Sequence, residues 1–200
     1  MKHTVLIAAL GVALAGLIGA GQAQANTYCA ELPADLSCDQ NFTGTTTAIQ
    51  AAVTEADTNP GPDTVKVGPG IFVMASPVFL DSFGPDNQLT LNGSGPSTVL
   101  KGSDPTDPEI HFHAPAGSSI NSLTISITDE GPTSGKRGLV LTGDAPVAND
   151  LDVNFVSGAT GDKTTGVVLQ DGATLKNSRV NLYVPNASLV NTAVASTGQG

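Results

Sequence analysis

Tryptophan is absent from the chain and tyrosine occurs only twice. A binding module built on a flat aromatic platform for sugars is therefore not expected. Lysine and arginine together number 8 against 18 acidic residues, a formal net charge of −10. Nucleic acids and anionic membranes are bound through basic patches, so both are excluded as partners. Only 13% of the residues are charged, and helical patterning is confined to one segment. What is plentiful is Gly, Pro, Thr, Ser and Val, an all-β composition. Of cysteines there are two, Cys29 and Cys38, too isolated from other ligands for a redox or metal centre.

Long apolar runs are also missing, with one exception at the start. Residues 1–25 read as a signal peptide: a positive start at Lys2, an uncharged apolar stretch, and the small-residue string "AQA" ending at Ala25, with cleavage expected before Asn26. The run is nearly long enough for a membrane anchor, but the small residues supply a peptidase site. The expected product is secreted and free of the membrane, and one unit more negative for the loss of Lys2. In an exported chain Cys29 and Cys38 are expected to form a local disulfide within an N-terminal segment, residues 26–44. Residues 45–200 are enough for one domain with a core of its own.

In "TTTAIQAAVTEA", apolar residues at Ala48, Ile49, Ala52, Val53 and Ala56 share one face of a helix. Thr47 and Gln50 have capping-box spacing, and "TNPGPD" ends the helix. Short β-type runs follow between turn residues: "TVKV", "IFV", "PVFL", "QLTLNG" and "STVLKG". Four later segments resemble one another: "INSLTI" from Ile120, "VANDLDV" from Val147, "LKNSRV" from Leu175 and "LVNTAV" from Leu189. Each pairs an apolar anchor with a small polar residue two positions later, namely Ser122, Asn149, Asn177 and Asn191. An apolar strand precedes each anchor. A period in the twenties built from short strands is the mark of a solenoid, whose laps share one core. The four polar residues are expected at corners, where left-handed backbone is tolerated and amides bond between laps. The last step, only 14 residues, reads as a lap with a shortened side.

The succession "AIQAAV", "DTVKVGPGIF" and "LTLNGSGPSTVLKG" resembles the start of secreted right-handed parallel β-helix proteins of the pectin-lyase-like superfamily. The likeness covers residues 45–194. It implies an all-β right-handed parallel β-helix in which the opening helix caps the solenoid. The superfamily includes polysaccharide lyases, glycoside hydrolases, phage adhesins and inert surface proteins. Its lyases use clustered acidic calcium ligands with a basic proton abstractor, and its hydrolases use "NTD", "DD" and "GHG" strings. None of those strings occurs here, and arginine appears only at Arg137 and Arg179.

Three stretches offer chemistry. "EIHFH" places Glu109, His111 and His113 on the solvent face if Ile110 and Phe112 face inward. That is part of a zinc or copper site, or the ordinary polar alternation of a half-buried strand. "NDLD", with Asp150 and Asp152, and "DPTDPE", with Asp104, offer oxygen ligands to calcium, or turn residues bonding locally. "DEGPTSGKRG" reads as a projecting loop. Asn41, Asn92 and Asn186 head N-x-S/T sequons.

These features lead to the expectation of a secreted β-helix contacting extracellular polysaccharide, with no cofactor required and calcium a candidate ion. A lyase or glycosidase is the alternative, and an adhesive or spacer protein is a third. Three or more outward charges along one sheet favour the enzyme; a bare Thr/Ser/Asn face favours the spacer. Because the repeat has just restarted at Leu189, the solenoid is expected to be incomplete at its C-terminal end, or covered there by a partner.

Overall fold

A computed structural model describes residues 24–32, 37–44, 47–74, 78–81, 87–102, 109–129, 136–157, 164–184 and 192–197. Residues 1–23 of the expected signal peptide lie outside the described residues, as do Asp104, Asn186, Leu189 and Asn191.

The chain opens with β1 (Thr27–Ala30) and β2 (Gln40–Phe42), followed by α1 (Ala48–Thr58). Then come β3 (Asp63–Val67), β4 (Gly70–Met74), β5 (Val78–Asp81), β6 (Leu89–Gly93), β7 (Thr98–Gly102) and β8 (Ile110–Ala114). The later laps consist of β9 (Ser119–Asp129), β10 (Arg137–Gly143), β11 (Val147–Ser157), β12 (Thr165–Gln170), β13 (Thr174–Lys176), β14 (Arg179–Tyr183) and β15 (Thr192–Thr197). Every strand pairing is parallel. The result is a parallel β-solenoid with, among the described residues, a single short helix before the coils.

Each lap has three sides. The first ladder runs β2, β1, β3, β6, β9, β11, β13; the second links β4, β7, β9, β11 and β14; the third is β5, β8, β10, β12, β15. The long strands β9 and β11 belong to the first two sides at once because a left-handed residue bends each in the middle. Those residues are Ser122 (φ 51°) and Asp150 (φ 57°), and Asn177 (φ 47°) makes the same bend between β13 and β14. Short polar side chains are the non-glycine residues that reach this conformation most readily.

Alternation along each strand sends one apolar set inward. Val65, Leu91, Ile120 and Ala148 stack on the first side, Leu100, Ile125 and Val153 on the second, and Ile110, Leu139 and Val167 on the third. All are fully buried. No lap could bury these residues alone, so the core exists only between laps. At one end α1 lays its buried stripe, Ala48, Ile49, Ala52, Val53 and Ala56, on this core beside β1, β2 and β3. The stripe follows the sequence pattern, but the capping box does not form. Thr47 makes no side-chain cap bond and instead donates back to the Gly44 carbonyl at 3.4 Å.

The repeat register differs from the sequence reading in two places. Ala148, not Val147, stacks between Ile120 and Leu175, so the bend falls on Asp150 and Asn149 is a strand residue beside Asn121. Of two adjacent residues in a pleated strand only one can face inward, and the small Ala148 is the buried one. Second, the described half of "LVNTAV", Thr192 to Val194, does not share a side with "LKNSRV". Thr192 and Val194 pair with Thr165 and Val167 on the third side. Thr192 thus stands on a different side from Leu175; Leu189 and Asn191, and with them the reading of a shortened side, lie outside the described residues. An apolar–polar–apolar hexad fits any side of a solenoid, which is why the sequence could not separate them.

β1 lies parallel to β3 in the first sheet, and Cys29 and Cys38 form the expected disulfide, Cα–Cα 5.9 Å.

Candidate functional site

The local sequence Asp150-Leu151-Asp152 turns a strand into a groove wall. Leu151 points inward and is buried, the corner residue Asp150 is exposed, and Asp152 faces outward on the second side. One lap on, Asn177, Ser178 and Arg179 occupy the same register, with Arg179 directly beside Asp152. One lap back stands Thr124. Parallel neighbours are about 4.8 Å apart, so residues 27 positions apart in sequence become adjacent. Together with Pro96 and Leu123 they line an open groove of about 430 Å³ along the bend.

Hydrogen bonds between laps fix its walls. Ser122 Oγ donates to Asp150 Oδ2 at 2.9 Å, and Asn181 Nδ2 donates to Asp152 Oδ1 at 3.2 Å and to Asn154 Oδ1 at 2.8 Å. Asn177 Nδ2 donates to Asn149 Oδ1 at 2.9 Å, and the Leu151 amide donates to Ser178 Oγ at 3.0 Å. Asn121 Nδ2 donates to Asn92 Oδ1 at 2.9 Å in an equivalent rung. Each Asp carboxylate keeps acceptor capacity after these bonds, since a carboxylate offers about four lone-pair sites. The Arg179 guanidinium has no hydrogen bond or ion pair among the described residues. The groove therefore presents two acceptors and a five-donor fork within two laps.

Asp150 and Asp152 thus sit as the sequence suggested, beside a turn, but the partner that makes a site of them, Arg179, was missed. The signal was its distance of one lap from Asp152, readable only once the register is right. Tyr183 was missed as well. It is 63% exposed beside Val156 on the outer face of the second side.

The "EIHFH" strand resolves differently. Ile110 and Phe112 are fully buried, as the alternation requires, and His111 and His113 are half-buried on the outer face. Glu109, however, is not on the solvent face: it is only 4% exposed. Its carboxylate is held by His111 Nε2 and by Arg137, whose Nε lies 2.6 Å from Oε2 and whose Nη2 donates to Oε1 at 2.9 Å. Burial pushes the Glu109 carboxyl up, but the His111 bond and charge and the Arg137 guanidinium outweigh it and leave the group below its ordinary range. Nearby, Asp81 pairs in register with His113. Burial raises its carboxyl, against the opposing charges of His113 and His111. Glu109 is thus committed to an ion pair, and among the described residues no three His, Cys, Asp or Glu side chains gather as a metal site. Arg137 and Gly138 belong to β10 and not to a projecting loop. A Cβ at Gly138 would stand 2.5 Å from the Gly166 carbonyl oxygen, so this rung closes only on glycine.

The class these features define is a parallel β-solenoid with a polar groove at one corner. Comparisons with protein-family models, curated proteins and solved structures find no match.

Proposed function

We propose that the protein is a secreted solenoid that docks a hydroxyl-rich extracellular polysaccharide in the groove of Asp150, Asp152 and Arg179, without a catalytic step of its own. The observation that supports this reading is the pairing of unspent acceptors with an uncommitted guanidinium across adjacent laps. Sugar hydroxyls are both donors and acceptors, and charged side chains bond them more strongly than neutral ones do. The groove is open along the bend, which suits a chain passing through better than an enclosed small molecule.

Binding to a panel of neutral and acidic polysaccharides tests the proposal, with Asp152→Ala and Arg179→Ala each expected to weaken the best binder about tenfold. No binding to any polymer, or binding indifferent to both changes, sinks it. One observation favours a second reading. Asp150, Asp152 and Arg179 are three outward charges at one sheet corner, the arrangement expected of a carbohydrate-active enzyme. Release of unsaturated or reducing ends, measured with and without calcium and abolished by replacing Asp150 and Asp152, would establish that reading instead.

A further inference from the structure

Asp63 is the least exposed carboxylate among the described residues, 2% exposed at the start of β3. Its Oδ1 accepts the backbone N–H of Asn26 at 2.7 Å. Its Oδ2 is buried with no hydrogen-bond partner among the described residues, and no Lys or Arg forms an ion pair with it there. Among the described residues the charge acting on it is negative. Asp39 Oδ2 accepts the Thr27 amide at 2.6 Å, and the phenol of Tyr28, bonded by Asn26 and Asn59, lies within the field of Asp63 and Glu55. Burial raises the Asp63 carboxyl, the Asn26 amide opposes that, and Asp39 adds to it. A buried carboxylate without a counter-ion is costly, and among the described residues only the single Asn26 N–H offsets that cost.

The nitrogen facing it is that of the residue at which the sequence places the cleavage. Gln24 and Ala25 are exposed, whereas Asn26 is half-buried and its carbonyl accepts the Thr64 amide at 2.9 Å. We propose that cleavage between Ala25 and Asn26 completes a latent ion pair, in which the new α-ammonium of Asn26 takes the buried Asp63 carboxylate and clamps β1 onto β3. Hydrolysis breaks the Ala25 C–N bond. Water's hydroxyl goes to the Ala25 carbonyl and its proton to the Asn26 nitrogen, which takes one more from the carboxylic acid just formed. The same atom that donated one uncharged N–H then carries three and a full positive charge, enough to serve both Oδ1 and Oδ2. Processing is thereby coupled to the stability of the solenoid's first lap.

The test compares chains that begin at Asn26 and at Ala25, each with Asp63 and with Asp63→Asn. One extra residue moves the ammonium by a full Cα step and restores the plain amide. The Asn26 form is expected to melt about 5 °C or more above the Ala25 form, and the gap to close in the Asp63→Asn pair. Equal melting of the first two, or a gap that survives Asp63→Asn, overturns the proposal. Should Asp63→Asn not fold, acylation of the α-amine decides: it is expected about tenfold slower in the Asn26 form than in the Ala25 form, and equal rates overturn the proposal. Intact mass of the exported protein is expected to place its N-terminus at Asn26, and any other start also overturns it.

Discussion

Glu109 shows what a single residue gains or loses by position. Its carboxyl is depressed, so the ion pair's contribution is full above the ordinary carboxylate range and is lost as pH falls through the lower folded value. The urea midpoint of the wild type should therefore exceed that of Glu109→Gln at pH 7, and the difference should shrink towards pH 3. A constant difference would mean that the carboxylate charge is irrelevant. Arg137→Ala leaves a buried acceptor with one partner fewer and should cost about 1–3 kcal/mol at neutral pH. Arg137 is itself 40% exposed, which favours the lower half of that range. Asp81 has the opposite sign. Its raised carboxyl makes the folded state bind protons more tightly, so stability is lost as pH rises from the ordinary value through the folded one. Asp81→Asn should consequently raise the melting temperature at pH 7 and leave it nearly unchanged at pH 3. The sequence showed the alternation of "EIHFH" plainly. It did not show Arg137, because that guanidinium arrives from the next lap, 28 residues away.

Elements were more legible than their register. The buried face of α1 is the sequence stripe residue for residue, and the short apolar runs became strands. Both follow from periodicity, which is local. The bend in β11 was placed one residue early because Val147 and Ala148 are both apolar, and only the inter-lap ladder decides which faces inward. For the same reason the sequence did not place Thr192 to Val194 of "LVNTAV" on the third side. Gly93 illustrates how tight these ladders are. A Cβ there would stand 2.4 Å from the Ser122 carbonyl oxygen, at the corner of the next lap. Gly93→Ala is expected to cost about 2 kcal/mol or more in urea unfolding, a strain cost of the kind overpacking brings, while Gly95→Ala, with nothing within 4 Å of its Cβ, bears only the strain of φ 87°. Ile125→Ala, at a fully buried rung between Leu100 and Val153, should cost about 2–5 kcal/mol.

On the scale of the whole molecule, the groove belongs to no single stretch of chain. Asp152 and Arg179 meet because β11 and β14 are in register, and Thr124 joins them from β9. The fold was legible because a solenoid writes its period into the sequence; the site was not, because it is a product of stacking. Burial changes along the stack as well: Val153 and Phe155 are fully buried, whereas their neighbours Val180 and Leu182 in β14 are half-buried. Hydrogen exchange should therefore be slowest in β9 and β11 and faster in β14 and β15; uniform protection would contradict a lap-by-lap core.

The 28-residue step from Ser122 to Asp150 returns the backbone to the same corner with the same hand-hold, a side-chain bond across the joint. A structure made of such returns has no intrinsic length. Copying one whole circuit into the chain should lengthen the rod by a single rung spacing and leave every existing rung as it was, whereas adding half as many residues would turn each later corner onto a flat side and unseat everything beyond it.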